Sequence, residues 1–278
     1  GATDTVVVTL TNAMYLPAGF LQISSNDIGA ITINKLVPRG TGPATGWATN
    51  ILRGFTLTFD GTTPRIDYDH RSNLVYIIEN DLVLNKTLQV ATTGNNTPIG
   101  TFIFSGTISG PGGLGAVHRD QQNNNANVTL LGMNTYSGAT YVNCGRLRFN
   151  SIVNVGEGPS ALGNPSPATN AIIEMGMGGS NATLEYMGTN SEGHATDRPI
   201  RFAGTGGSMG LAASGLGPIR FMAGVINSGN IDRAFTLSGN STSENLVASM
   251  AGNRLDVTKT GDGLWIIGSN GPNSISNL

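Results

Sequence analysis

The chain has 278 residues, of which 40 are glycine, 12% are charged and 38% are hydrophobic. Disordered chains are poor in hydrophobic residues, so this composition indicates a β-rich protein with many tight corners. The formal net charge of −2, without a basic run or interleaved aromatic residues, argues against nucleic acid as a partner. No apolar stretch approaches the roughly 18–20 residues of a membrane span.

Short strands with alternating apolar and polar residues are predicted along the first hundred residues. In chain order they cover Thr5–Leu10, Phe20–Ile23, Ala30–Ile33, Phe55–Phe59, Leu74–Ile78, Leu82–Val90 and Thr101–Phe104. The segment Pro38–Asn50 is rich in Gly, Pro and Thr, and it is predicted to be a projecting loop with Trp47 inside it.

Residues 126–149 hold three further predicted strands. Apolar residues alternate with polar ones in Val128–Leu130, Thr140–Val142 and Leu147–Phe149, and Gly and Asn lie at the corners between them. Gly and Asn adopt corner conformations that cost other residues energy. This pattern is typical of a chain that coils back over itself.

After Phe149 the chain is dense in Gly, Pro and Asn, and Gly204–Gly217 is a second stretch of small residues. Apolar residues nowhere recur with the helical period over ten or more positions, so no helix is predicted. The strands predicted in this part are Ala171–Glu174, Thr183–Tyr186, Ile200–Phe202, Pro218–Phe221 and Ala234–Leu237.

The segment Leu130–Leu147 has the pattern Leu-x-Gly-x-Asn-Thr-Tyr-Ser-Gly-x-Thr-x-Val-Asn-x-Gly-x-Leu. It resembles the autotransporter-associated β-strand repeat, also called the passenger-associated transport repeat. Gly110–Leu114 matches an element that introduces this repeat, although a second introducing element is replaced by Gly115–Asn127. A second copy is seen in Leu255–Asn270, so the repeat-like units lie near residues 101–150 and 234–278.

Around a dozen short strands are compatible with a sandwich, a barrel or a solenoid. The resemblance favours the solenoid, in which each unit buries its apolar face on a neighbour. We therefore expect an all-β fold, a single right-handed parallel β-helix over residues 1–278 with projecting loops and no transport barrel. With about 20–25 residues per coil, roughly a dozen coils would make a rod on the order of 55 Å long.

Acidic residues cluster at Asp60, Asp67 and Asp69. Because Asp67 and Asp69 lie two residues apart in a predicted strand, they share one face of it. They could bind Ca²⁺ through carboxylate oxygens or act as the paired acids of a glycan-cleaving β-helix enzyme. The favoured interpretation is a solvated strand face with Arg65 and Arg71 as counter-charges. No catalytic residue, metal or cofactor is therefore predicted.

Three other features have simpler interpretations. Cys144, the single cysteine, is predicted to be a small buried residue at a corner rather than a reactive thiol. Trp265 is predicted to face the core. The run Gln121–Asn125 is predicted to be either an exposed loop or a ladder of amide side chains between coils.

A solenoid interrupted in mid-coil exposes unpaired strand edges. The hypothesis is that the C-terminal coil pairs with the strand Thr5–Leu10 of another copy, a head-to-tail contact that builds filaments. The residues expected at this contact are Thr5, Val6, Val7, Val8, Thr9, Leu10, Trp265, Ile266, Ile267, Ile275 and Leu278.

The expected function is structural and non-catalytic: a subunit of an extracellular fibre, secreted or on a bacterial cell surface. Its expected partner is itself, with glycans or other surface proteins as further candidates and no insertion into a membrane. Two alternatives remain open. The first is a monomeric passenger-type adhesin that binds host or glycan surfaces through loops such as Pro38–Asn50 and His118–Asn127. The second is a carbohydrate-active β-helix enzyme.

Overall fold

The protein folds as a parallel β-helix. The computed structural model describes residues 6–41, 43, 45–69, 73–93, 101–118, 127–177, 179–204, 206–229, 231–268 and 275–277. Strands pair in parallel with the equivalent strands of neighbouring coils, as β-helix geometry requires. The predicted all-β parallel β-helix is thus confirmed.

The strands, numbered in chain order, form three faces. Face A has ten strands: β1 (Val7–Tyr15), β4 (Lys35–Thr41), β7 (Arg65–Asp69), β10 (Leu88–Thr93), β13 (Leu114–His118), β15 (Thr140–Val142), β17 (Ile173–Met175), β20 (Ile200–Phe202), β23 (Val225–Asn227) and β26 (Met250–Gly252). Face B has eleven strands: β2 (Leu21–Asn26), β5 (Ala48–Gly54), β8 (Leu74–Ile78), β11 (Thr101–Phe104), β14 (Asn127–Leu130), β16 (Gly145–Phe149), β18 (Ala182–Tyr186), β21 (Met209–Ala213), β24 (Arg233–Gly239), β27 (Leu255–Lys259) and β29 (Ile275–Asn277).

Face C consists of two separate sheets of four strands each. The sheet in the N-terminal half contains β3 (Ile31–Ile33), β6 (Leu57–Phe59), β9 (Leu82–Leu84) and β12 (Ile108–Ser109). The sheet in the C-terminal half contains β19 (His194–Thr196), β22 (Ile219–Phe221), β25 (Asn245–Val247) and β28 (Trp265–Ile267).

The three faces enclose one apolar core. Alternation turns every second side chain of a strand inward, so β8 buries Leu74, Tyr76 and Ile78 and leaves the two residues between them half-exposed. Equivalent side chains stack from coil to coil, as in Tyr76 and Phe102, whose ring centroids lie 5.6 Å apart. The core is therefore continuous along the rod.

Most coils are longer than the sequence predicted. Leu88 pairs with Leu114, which lies 26 residues later, and Thr140 pairs with Ile173, which lies 33 residues later. The prediction of 20–25 residues per coil was therefore too low for most coils, because the corners use more residues than we allowed, and the rod has fewer coils than the dozen predicted. The eleven strands of face B span about 50 Å at the usual strand spacing.

The longest coil contains an insertion, residues 150–172, which lies between β16 and β17. It holds the single helix of the described chain, the short 3₁₀ helix Ala168–Ala171. The buried Arg198 ties this insertion to the next coil: its Nε donates to the carbonyl oxygen of Ala171 at 3.0 Å and its Nη1 to that of Leu162 at 2.8 Å. The insertion falls in the gap between the two sheets of face C.

Buried asparagines satisfy backbone groups at the corners. The Oδ1 atom of Asn134 accepts the N–H of Ile108 at 2.8 Å, and its Nδ2 donates to the carbonyl oxygen of Ala161 at 2.7 Å. The Oδ1 atom of Asn245 accepts the N–H of Ile219 at 3.0 Å in the same way. Buried backbone groups need such partners where no strand continues the ladder.

Many predicted strands are confirmed. The bounds of Leu74–Ile78, Thr101–Phe104 and Ile200–Phe202 agree with β8, β11 and β20. The three strands predicted within residues 126–149 are β14, β15 and β16. In these segments the alternation of apolar and polar residues agrees with the pairing to neighbouring coils.

Two predictions of local structure were wrong, and one strand was not predicted. The predicted loop Pro38–Asn50 contains the end of β4 and the start of β5. The small-residue stretch Gly204–Gly217 contains β21, and Leu82–Val90 is divided by a corner into β9 and β10. In each case pairing with adjacent coils overrides a weak or misleading local pattern.

Close stacking of corners makes a specific prediction about Gly193. A Cβ atom on Gly193 would lie 2.0 Å from the backbone oxygen of Pro218 on the next coil, and the residue has a φ of +71°. We expect Gly193→Ala to lower the free energy of unfolding by at least about 3 kcal/mol, because the two coils must move apart. Urea denaturation followed by circular dichroism measures the effect.

Gly156 supplies the matched control, since its φ is +81° but a Cβ atom would meet nothing within 4 Å. Gly156→Ala should cost only the backbone strain of about 1–2 kcal/mol. Equal losses for the two variants would contradict the stacking argument.

Candidate assembly interface

The first coil, formed by β1, β2 and β3, has a neighbouring coil on one side only. These strands pair with β4, β5 and β6 respectively. No strand of the described residues pairs with their opposite edges. The backbone groups along these edges are therefore available to another strand.

Within the described ranges, no segment covers the core at this coil. Val8, Leu10 and Ile31 are only partly buried and pack against the core. They border a cavity of about 200 Å³, whose walls also include Ser24, Ile28, Ile33, Leu36, Leu52 and Leu57. No helix of the described chain covers this end. Solenoids normally protect such an end with a capping unit.

Large hydrophobic side chains are exposed on the first coil, and Ile28 is the one among them that lines the opening. Ile28 is 79% exposed. Exposed apolar groups that cluster in this way mark an interaction surface rather than a random scatter. The others on this coil are Val6, Val7, Phe20, Leu21 and Ile23.

The face B side of the opening differs in polarity. The register of β2 on β5 pairs Ser24 with the buried Leu52, so Gln22, Ser24 and Asn26 turn inward. The apolar side chains of this strand turn outward instead. The apolar part of the open end therefore lies along faces A and C.

The opposite end of the rod also presents unpaired edges. Trp265 and Ile267 of β28 are partly buried against the core, and the indole Nε1 of Trp265 donates to the carbonyl oxygen of Ser238 at 2.8 Å. Ile266 lies between them and is 39% exposed. Ile275 begins β29, which pairs with β27 on one edge. Among the described strands, β26, β28 and β29 end the three faces.

The residues predicted for assembly therefore fall into two groups at opposite ends. Val6, Val7, Val8, Thr9 and Leu10 lie on or beside β1, whereas the tryptophan and isoleucines lie in β28 and β29. A single chain does not bring the two groups together, which is the arrangement that head-to-tail contact requires. Thr5 and Leu278 lie outside the described residues.

The structure gives Asp60 a local structural role. Its Oδ1 atom accepts the N–H of Gly61 at 2.7 Å, and its Oδ2 atom accepts from Nδ2 of Asn85 at 2.9 Å. These hydrogen bonds, with that of Asn85 the stronger influence, lower the pKa of the Asp60 carboxyl. Asp60 thus holds the corner after β6 to the equivalent corner one coil later.

Asp67 is buried and already paired. Its Oδ2 atom lies 2.5 Å from Nζ of Lys35 and 3.0 Å from Nε of Arg65, and the residue is only 2% exposed. The prediction of a solvated strand face was therefore wrong at Asp67, although Arg65 is its counter-charge as expected. The side chain of Asp69 and the whole of His70 and Arg71 lie outside the description.

These contacts give little support to the Ca²⁺ and paired-acid hypotheses. A carboxylate that two cations already neutralise is poorly placed to bind a third. Within the described part of the chain, no three His, Cys, Asp or Glu side chains are grouped so that they could hold a metal ion.

A second buried carboxylate, Glu185, lies on the outside of face B, and no pattern in the sequence indicated its burial. Its Oε2 atom accepts from Arg146 at 2.8 Å and from Arg148 at 2.9 Å, and its Oε1 atom accepts from Ser214 at 2.7 Å. Burial raises the pKa of Glu185, but these hydrogen bonds outweigh it and the pKa lies below its usual value. The cluster links β16, β18 and the corner after β21.

Cys144 lies at a corner and is 1% exposed. Burial raises the pKa of its thiol to about 12, so the thiol is protonated at neutral pH. The prediction of a small buried residue at a corner is confirmed. The run Gln121–Asn125 lies outside the described residues, as does most of the predicted loop His118–Asn127.

Comparison with protein-family models, curated proteins and solved structures finds no match to this chain. The resemblance of Leu130–Leu147 to the passenger repeat therefore stays a prediction. In the described ranges, no helix is long and apolar enough to cross a membrane.

The Glu185 cluster makes stability depend on pH. The pKa of Glu185 is lowered in the folded state, so its contribution is present above its unfolded-state pKa and is lost as pH falls through the folded-state pKa. We expect Glu185→Gln to lower the free energy of unfolding by about 1–2 kcal/mol at pH 7 and by much less at pH 3. Urea midpoints of both proteins at the two pH values test this expectation. A deficit of equal size at pH 3 would show that the carboxylate charge is not the cause.

Proposed function

We propose that this protein is a non-catalytic structural β-solenoid whose copies stack head-to-tail into a fibre. The observation that carries the proposal is the first coil, at which, among the described residues, three strand edges are unpaired and one end of the core is uncovered. The last coil of a second copy offers this coil both strand edges and partly exposed apolar side chains.

Strand direction permits this stacking. All strands of faces A, B and C pair in parallel, so a coil added below the first one continues every sheet in the same sense. The edges of β1, β2 and β3 would meet those of β26, β29 and β28 of the second copy. This contact is heterologous and does not close on itself, so it generates a filament.

Both hydrogen bonding and apolar burial would favour the contact. Edge strands gain backbone hydrogen bonds when a new strand adds to the sheet. Val8, Leu10 and Ile31 are now partly exposed around the cavity. In the stack, β26 of the other copy would cover Val8 and Leu10, and Trp265 and Ile267 would cover Ile31. Removal of such apolar area from water stabilises association.

We further propose that the fibre is extracellular, either secreted or on a bacterial surface. Support comes from the resemblance of Leu130–Leu147 to the passenger repeat and from a composition rich in glycine and low in charge. The proposed partner is the protein itself.

The assembly prediction is tested with Val8→Lys/Leu10→Lys. These side chains turn into the open end of the core, so charges there would be buried by stacking and should oppose it. We expect wild-type protein to form unbranched filaments as its concentration rises. The variant should need at least about tenfold more protein, which corresponds to about 1.4 kcal/mol. Negative-stain microscopy and sedimentation provide the measurements.

Val7→Lys/Thr9→Lys is the matched control, because it adds the same charges to the exposed outward side of β1. This control should assemble more readily than the inward variant. Wild-type protein that remains as short single rods at every concentration would refute end-to-end stacking.

A pair of exposed aromatic residues favours a second candidate function, binding of glycans by a passenger-type adhesin. Phe20 and Trp47 are 44% and 46% exposed. They lie at the same corner on adjacent coils, where Gly19 donates its N–H to the carbonyl oxygen of Trp47 at 2.8 Å. Exposed aromatic rings offer a broad, rigid contact surface.

This second function predicts retention on polysaccharide particles. We expect Phe20→Ala/Trp47→Ala to reduce retention of the protein on chitin, cellulose or mannan particles at least fivefold, about 1 kcal/mol. Ile28→Ala removes an exposed apolar group of the same coil without an aromatic ring, and it should leave retention unchanged. Failure of wild-type protein to bind any of the three particles would count against the adhesin.

A further inference from the structure

An apolar ladder runs along the outside of face B in its N-terminal half. Register pairs Ile23 with Ile51, Ile51 with Ile77 and Ile77 with Ile103. A second outward row lies two residues earlier on the same strands. We call the eight residues of these rows the isoleucine face: Leu21, Ile23, Thr49, Ile51, Val75, Ile77, Thr101 and Ile103.

The fold itself does not require this apolar character. The row of isoleucines continues through Thr129, Arg148 and Glu185 on the next three strands. Charged residues therefore occupy the same outward position elsewhere on face B. Ile23 is 47% exposed, and the other three isoleucines are half-exposed. Four stacked apolar side chains on a solvent-facing sheet indicate a surface that is covered.

Two opposite charges border the isoleucine face at its centre. Arg53 and Glu79 directly follow Leu52 and Ile78, which are register partners, so the two charges lie on the second and third coils. Both side chains are exposed. Neither forms an ion pair with another residue of the described segments. On the first and fourth coils the equivalent residues are Ser25 and Ser105.

We propose that two copies of this chain pair laterally, isoleucine face against isoleucine face, with their long axes antiparallel. The two-fold axis would run parallel to the strands and pass between the second and third coils. Ile51 would then oppose Ile77, and Ile23 would oppose Ile103. The same operation places Arg53 of each copy opposite Glu79 of the other.

This charge arrangement is what selects a second copy as the occupant. An isologous contact needs a surface that is complementary to itself. The isoleucine face has an apolar centre and two opposite charges that the two-fold axis exchanges. If the long axes of the two copies were parallel, both charge pairs would be lost. The two-fold axis would then place opposite ends of the strands against each other, whereas Arg53 and Glu79 lie at the same end.

The contact is regular but small. Sheets pack face to face at about 10 Å, and β-branched side chains interdigitate well between them. Four coils of this width offer about 300 Å² per copy, against about 800 Å² for a standard interface. A single pair of chains should therefore dissociate readily, and lateral pairing becomes strong only where many such faces are aligned.

Charge exchange tests the proposal. Sedimentation velocity is measured over a concentration series for chains that carry Val8→Lys/Leu10→Lys, which suppresses end-to-end contact. In that background we expect a weak dimer that Arg53→Glu or Glu79→Arg alone weakens at least about tenfold, because each change opposes like charges twice. The double change Arg53→Glu/Glu79→Arg should restore dimerisation to within about threefold, since it recreates both pairs.

Ile226→Asp is the matched control, because Ile226 is 39% exposed on the outside of face A and should not affect the dimer. Circular dichroism establishes that each variant keeps its strands. A protein that is monomeric throughout the series, or a double variant as weak as the single ones, overturns lateral pairing. This proposal does not rest on head-to-tail assembly: wild-type protein without filaments that shows the charge-exchange pattern would refute only the end contact.

Discussion

Hydrogen bonds between coils are the interaction on which every other feature of this structure depends. A strand of face A finds its partners about 26 residues away in either direction, as Leu88 does with Leu114. Because each coil completes the backbone pairing of the one beneath it, corners must stack closely enough to exclude a Cβ atom at Gly193. The same dependence leaves the first coil with three edges that no described strand pairs.

Charges follow different rules inside and outside the coil stack. Outside, carboxylates pair with cations of neighbouring coils, as Asp67 does with Lys35. Inside, the buried Arg198 and Arg233 donate only to corner carbonyls, Arg233 to those of Gly204 and Gly206 at 2.9 and 2.8 Å. Burial lowers the pKa of both guanidinium groups, yet their hydrogen bonds hold corners that no strand pairs. The buried arginines therefore support the irregular corners, whereas the buried carboxylates Asp67 and Glu185 pair with cations on the outside of the faces.

The alternation of apolar and polar residues was enough to locate many strands. In segments such as Leu74–Ile78 it distinguishes the buried side chains from those that face outward. It failed at β21, where Gly210 and Ala212 face outward and remove the contrast between the two sides. Relations between coils were out of reach of the sequence. Lys35 and Asp67 approach each other, and Ile51 lies beside Ile77, only because of coil lengths that the irregular corners set. The burial of Asp67 and the isoleucine face could not be predicted, because both depend on the register between coils.

The insertion of residues 150–172 shows that the stack of coils tolerates extra residues at a corner. Pairing is uninterrupted on both sides of it, since Thr140 still pairs with Ile173 and Phe149 with Tyr186. Axial spacing is thus decoupled from the number of residues at a corner. In evolutionary terms, such a rod can acquire side branches by insertion without changing its length or its end surfaces. This corner is accordingly the natural place to graft a foreign segment onto the rod.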